Sequence, residues 1–141
     1  MKERYQRVVA AAFIQKGDRI LIAKRSPKAK VFPGMYELPG GKIEFGETPE
    51  EALKREIKEE LDVEVEVFEP YHVFSYIAHE GSAHYVEIAF ICELKESEGN
   101  IRMLDHDDIQ WVTREELEKF EMSPVLRKAA EKGFEFAAKS Q

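Results

Sequence analysis

Three glutamates, Glu56, Glu59 and Glu60, stand at i, i+3 and i+4 in one short stretch of the chain. Residues so spaced are neighbours on a helix surface. With Leu53 at 0°, Ile57 and Leu61 fall at about 40° and 80° and mark the buried side. Glu60 then falls at about −20°, Glu56 at about −60° and Glu59 at about −120°. Two carboxylates thus lie at the edge of the apolar stripe, where an ionised group is costly unless paired or bound to metal. Glu56 and Glu60 also repel one another across one helical turn. A solvated acidic face, helped by Lys54, Arg55 and Lys58, is the plainer account of such a helix. A divalent cation is the chemical one: Mg²⁺ takes carboxylate oxygens and keeps positions for water and phosphate.

The elements that must position these groups are legible on both sides. Thr48 is a good N-cap, Pro49 suits the first helical position, and Glu51 stands three residues after the cap. Asp62 ends the helix, because Val63, Val65 and Val67 then alternate with Glu64 and Glu66 in the period of a strand. Upstream, Tyr36–Leu38 reads as a short strand stopped by Pro39-Gly40-Gly41. Gly41 is followed by five residues and Glu47, then by seven residues and Arg55-Glu56, with Ile57, Glu59-Glu60 and Val63 completing the run. This run resembles the Nudix box, GX5EX7REUXEEXGU with U a bulky aliphatic residue. Asp62 departs from it, standing where the pattern has glycine. A left-handed conformation is expected there, which Asp tolerates better than most residues. A phosphate-cradling Walker A loop is excluded, since Gly41-Lys42 is followed by Ile43 instead of Ser or Thr.

The stretch Glu37–Glu44, the Ala23-Lys24-Arg25 run and the loop leading to Trp111 resemble the MutT-type subgroup of that family. The resemblance implies an α/β fold, an α/β/α sandwich in which helices flank a mixed sheet. It implies that Glu56, Glu59, Glu60 and the backbone carbonyl of Gly40 bind Mg²⁺, with Mn²⁺ able to substitute, and that Arg55 pairs with Glu47 to orient the helix. A loop acid six residues before the tryptophan, here Asp105, is implied as a further ligand or general base. Asp107 and Asp108 are weaker alternatives. Glu59, Glu60 or Asp105 would take the proton of the attacking water. Arg25 is the candidate for gripping phosphate, ahead of Lys24, Lys28 and Lys30, and Glu37 is a second candidate substrate-binding residue. Phe32, Phe74, Tyr76 and Tyr85 could stack on a base, although aromatic strand residues are more often core.

The expected reaction is hydrolysis of a nucleoside triphosphate to the monophosphate and pyrophosphate, with a sanitising role in the nucleotide pool as one use of it. Hydrolysis of ADP-ribose, a nucleotide sugar or a dinucleoside polyphosphate is the alternative within enzymes. Nucleotide sensing without turnover is the alternative outside them. Only apolar Val125-Leu126 follow Pro124, where selective relatives place Asn or Asp, so specificity for oxidised guanine is not expected.

The remaining chain fits one domain over residues 1–141. Val8–Ile14 and Arg19–Lys24 read as a hairpin, Ser26–Met35 as a loop, and His72–Ala78 and Ala83–Leu94 as strands around a turn. Glu96–His106 reads as a polar loop, Ile109–Val112 as a strand, Thr113 with Glu116 as a second capping box, and Ser123–Ala138 as a capped helix. The net charge of −7 argues against a binder of long nucleic acid. No apolar run approaches a membrane span, and the N-terminal stretch does not read as a signal peptide. The single cysteine, Cys92, lies in an apolar run and reads as a buried thiol in a reducing cytoplasm. The resemblance also admits a homodimer.

Overall fold

The computed structural model describes residues 3–96 and 100–140. Part of the predicted Glu96–His106 loop therefore lies outside the described residues. The expected hairpin is β1 (Tyr5–Lys16) and β2 (Arg19–Lys24), antiparallel with Gln15 opposite Ile20. β3 (Tyr36–Glu37) and β4 (Gly40–Lys42) follow, then α1 (Pro49–Leu61), β5 (Val65–Ala78), β6 (Ala83–Leu94), β7 (Asp108–Val112) and α2 (Pro124–Lys139). The sheet runs β3-β2-β1-β6-β5, with β4 also on β1 and β7 also on β2. β1 and β6 are parallel over ten residue pairs while the other pairings are antiparallel, so the sheet is mixed.

Period-two alternation in β1 feeds two cores at once. Ala10, Ala12 and Ile14 pack with Leu53, Ile57 and Leu61 of α1. Ala11 and Phe13 pack with Leu126, Ala129 and Ala130 of α2. One helix on each face makes the expected α/β/α sandwich. α2 comes so close that a Cβ on Gly133 would lie 2.3 Å from the Phe13 ring. Among the described residues no helix is long and apolar enough to cross a membrane.

Both helices start as their caps dictate. Thr48 Oγ1 accepts from Glu51 N at 3.1 Å, and Ser123 Oγ accepts from Leu126 N at 3.4 Å. Thr113 and Glu116 bond reciprocally, at 3.2 and 3.0 Å, and open a 3-10 turn over Glu116–Lys119. Asp62 is left-handed, with φ of 56°.

Three readings differ from the structure. Pro39-Gly40-Gly41 does not stop the chain's pairing, since Gly40–Lys42 forms β4 against Val9–Ala11. The Val63–Val67 and His72–Ala78 signals belong to one strand, carried past Pro70 by register shifts. Proline is tolerated there because β5 is an edge strand. The sequence alternation of Val86, Ile88, Phe90, Cys92 and Leu94 marks one face of β6 as apolar, but the opposite face is buried too, at Ala89 and Ile91. That second face also carries Glu87, only 5% exposed.

Candidate active site

Two glycines set the distance between sheet and helix. A Cβ on Gly40 would lie 2.0 Å from the Ala10 carbonyl oxygen, and one on Gly41 would lie 2.3 Å from the Glu56 carboxyl carbon. Without side chains, β4 lies hard against β1 and leaves room for the Glu56 carboxylate over it.

The glutamates of α1 spread as the helical wheel requires. Glu60 is 7% exposed, the Glu56 side chain 17% and the Glu59 side chain 58%. Arg55 organises the outer edge. Its Nε and Nη2 fork onto Glu47 at 2.7 and 2.9 Å, and Nη2 also donates to the Lys42 carbonyl at 3.0 Å. Its Nη1 donates to Glu56 at 3.0 Å and to Glu59 at 3.2 Å. The expected Arg55–Glu47 pair is thus formed, and the Arg55 bond, with the Glu44 N–H, holds the Glu47 carboxyl down at about 2.

The inner edge has no such compensation. Burial, together with the charges of Glu37 and Glu56, pushes the Glu60 carboxyl up to about 10. A long bond from Gly40 N, 3.4 Å from Oε1, opposes this weakly. Glu37 arrives from β3, its Oε1 accepting from Arg25 Nη1 at 2.9 Å and its Oε2 lying 2.8 Å from His106 Nε2. Because Glu37 already accepts from Arg25, Nε2 is the donor. His106 is buried, with Nδ1 unpartnered, and it ties the loop bearing Asp105 to the strand bearing Glu37.

These groups border a cleft of about 240 Å³. Arg25, Glu37, Gly40, Gly41, Glu56 and Glu60 line one part, and Phe32, Tyr76, Tyr85 and Glu87 another. An adjoining depression of about 280 Å³ shares Arg25, Glu37, Gly40 and Glu60 and adds Lys28 and Asp105. The fold therefore brings together Arg25, Glu37, Gly40, Glu56 and Glu60, with Asp105 across Glu60 from the main cleft.

Glu59 is not among the lining residues; it is the most exposed of the three α1 carboxylates and shares Arg55 Nη1 with Glu56. Among the described residues no three His, Cys, Asp or Glu side chains are already grouped around a cation site. Asp108 is spent on Tyr36 Oη and on Gln110 at 2.9 Å, and Asp107 is exposed. Lys30 is exposed, while Lys24 is half-buried. Phe74 packs with the α2-side core, whereas Phe32, Tyr76 and Tyr85 are lining residues, so three of the four aromatics are more than core.

Two participants were missed from the sequence. His106 follows Asp105 directly, and its only signal was a histidine within an acidic loop. Glu87 had a clearer one, an acid in the middle of the apolar run of β6.

The donor set suits a hard divalent cation. Glu37 and Glu56 are each paired to an arginine, but the Glu60 carboxyl beside them has no ion pair among the described residues, and carboxylate oxygens are what Mg²⁺ prefers.

The family model for the NUDIX domain matches residues 4–132. The nucleoside triphosphatase NudI of Enterobacter sp. strain 638 is 34% identical over 131 residues, covering 86% of this chain and 92% of its own. The ADP-ribose pyrophosphatase of Methanocaldococcus jannaschii is 39% identical over 87 residues, covering 62% of this chain and 50% of its own. Among solved structures, the MutT Nudix hydrolase of Burkholderia pseudomallei superposes with a TM-score of 0.76 at 27% identity, over 92% of this chain and 98% of that one.

Proposed function

The chain belongs to the Nudix hydrolase family, and on that premise we propose that it is a Mg²⁺-dependent nucleoside triphosphate pyrophosphohydrolase. The observation that carries this reading is Glu60, buried against Glu56 and Glu37 at the edge of a cleft that continues into an adjoining depression. Glu56, Glu60 and the Gly40 carbonyl would hold Mg²⁺, joined by Glu59 once it leaves Arg55. When bound, the metal neutralises polyphosphate charge and makes its water more acidic.

The chain's own groups do the rest. Arg25 is fixed through Nε to the Val31 carbonyl at 2.7 Å and through Nη1 to Glu37, and among the described residues Nη2 has no hydrogen-bond partner, so it can meet a phosphate oxygen. Glu37 thus acts on substrate through Arg25. Asp105 and Glu60 flank one depression, and either carboxylate can take the proton of the attacking water. Glu59 has this role open to it only after release from Arg55. Water adds to phosphorus, the phosphoanhydride bond breaks, and the leaving pyrophosphate carries away its electron pair. The monophosphate remains. Arg55 and Glu47 touch no reacting atom and keep α1 in register with β4.

The triphosphate reading is favoured over ADP-ribose because the NudI relative aligns over nearly its whole length, while the ADP-ribose pyrophosphatase aligns over half. The presence of all three α1 carboxylates favours turnover over sensing. The test is pyrophosphate and phosphate release with Mg²⁺, Mn²⁺ or EDTA, across triphosphates, ADP-ribose, nucleotide sugars and dinucleoside polyphosphates. Metal-dependent pyrophosphate release from triphosphates is expected. Turnover confined to diphosphate-linked compounds, or none at all, overturns the proposal.

A further inference from the structure

Glu87 is a carboxylate where the fold has no use for one. It sits on β6 with strands on both sides, with Val9 of β1 opposite it on one side and Phe74 of β5 on the other. Burial pushes its carboxyl up to about 7, although a hydrogen bond from Tyr76 opposes the rise. Tyr76 Oη donates to Oε2, and among the described residues Oε1 has no hydrogen-bond partner. Arg25 is the nearby countercharge, but its Nε and Nη1 are committed to Val31 and Glu37. A valine or glutamine would fill the position more cheaply, since a carboxylate this buried is costly to ionise.

The cleft around Glu87 has the character of a base site. Tyr76 and Tyr85 stack with centroids 5.5 Å apart and 28° between planes, and Phe32 packs 5.2 Å from Tyr76. Val9 is opposite Lys42 of β4 as well as Glu87 of β6. Glu87 therefore lies two strand spacings, about 10 Å, from the strand beside the Glu56 and Glu60 carboxylates. That separation is of the order of the span from a nucleotide's α-phosphate to the far edge of its base.

Resting on the triphosphate reading, we propose that Glu87 reads the nucleobase, accepting a hydrogen bond from an exocyclic amino group, so that amino-bearing bases are taken in preference to keto counterparts. Cytosine and adenine present an N–H donor at the position where uracil and hypoxanthine present a carbonyl oxygen. Opposite an ionised Glu87, the amino group supplies a partner for Oε1, whereas the carbonyl sets acceptor against acceptor. Glu87 is thus a specificity residue and stands apart from the metal-binding carboxylates of α1.

The test compares CTP with UTP and ATP with ITP, pairs that differ at that position and at the adjoining ring nitrogen, which carries a proton in the keto member, using the full chain with Mg²⁺. The wild type is expected to favour the amino member by at least about 10-fold in kcat/KM, chiefly through KM, as for sites built around a hydrogen bond to substrate. Glu87→Gln, whose amide can donate or accept, brings the ratio toward one. Tyr76→Phe, which leaves the carboxylate in place but removes its hydroxyl donor, also changes the ratio if Glu87→Gln does not fold. Binding of CMP against UMP in EDTA reads base preference without hydrolysis. Turnover of both pair members at equal efficiency, or a preference unchanged in the variants, overturns the role of Glu87. Preferential CMP binding without triphosphate turnover overturns the hydrolytic reading and leaves base recognition standing.

Discussion

Glu60→Gln separates the metal-binding account of α1 from a purely structural one, because the two predict opposite effects on stability. In metal-free protein the folded carboxyl lies near 10, against an ordinary value of 4.5. At pH 7 it is protonated in the folded chain and ionised in the unfolded one. For an acid raised on folding, stability is fully present below 4.5 and is lost as the pH climbs toward 10. Each pH unit in that interval removes about 1.4 kcal/mol, so the loss by pH 7 is about 3 kcal/mol. Glutamine keeps an acceptor for Gly40 N–H, adds a donor toward Glu56 and does not titrate. Urea denaturation in EDTA, followed by Trp111 fluorescence, should show the variant more stable than wild type by about 3 kcal/mol at pH 7. The gap should close as the pH approaches 4.5. Added Mg²⁺ should stabilise the wild type by mass action and leave the variant nearly unmoved. The same variant should lose more than about 100-fold in kcat, as expected when a metal ligand or base is removed. A variant less stable than wild type in EDTA at pH 7, or a gap independent of pH, would refute the charge conflict at Glu60.

Arg55→Lys keeps the charge but loses the fork onto Glu47, and a support of this kind typically costs about 10- to 100-fold in metal affinity or activity; an unchanged Mg²⁺ requirement and kcat would show that the fork is dispensable. Gly133→Ala drives a methyl to within 2.3 Å of the Phe13 ring. Overpacking of about 1–3 kcal/mol should outweigh the roughly 1 kcal/mol gain in helix propensity, so Tm should fall, and a rise would mean that Phe13 can shift. Asp62→Gly relieves a left-handed residue at φ of 56° but removes the exposed ion pairs to Lys58 at 3.2 Å and Arg102 at 3.6 Å. Stability should change by no more than about 1 kcal/mol, with activity unaltered, as checked by denaturation and turnover of the same preparation.

Local interactions were readable from the chain alone. α1 is written by Thr48 and Pro49 at one end, Asp62 at the other, and an apolar stripe at Leu53, Ile57 and Leu61. From that stripe followed the graded burial of Glu60, Glu56 and Glu59, because the angle between side chains on a helix depends on nothing outside it. The Arg55–Glu47 pair was accessible only by resemblance, since Glu47 lies before the N-cap, where helical spacing no longer fixes the direction of a side chain. Pairing across the sheet had no local signal. Gly40–Lys42 is a strand because Val9–Ala11 lies beside it, and Glu87 is buried because parallel β1 and antiparallel β5 close over both edges of β6. Alternation in β6 revealed which residues share a face but not that both faces would be covered. The meeting of Glu37, Glu60 and His106 joins β3, α1 and the loop before β7, and no spacing along the chain encodes it. The sequence by itself determined the helix and the order of its carboxylates, since both follow from contacts three and four residues apart. Only the tertiary structure decided which of those carboxylates face Glu37 across a common cleft and which aromatics and acid stand at its far end, because these depend on strands brought together from distant parts of the chain.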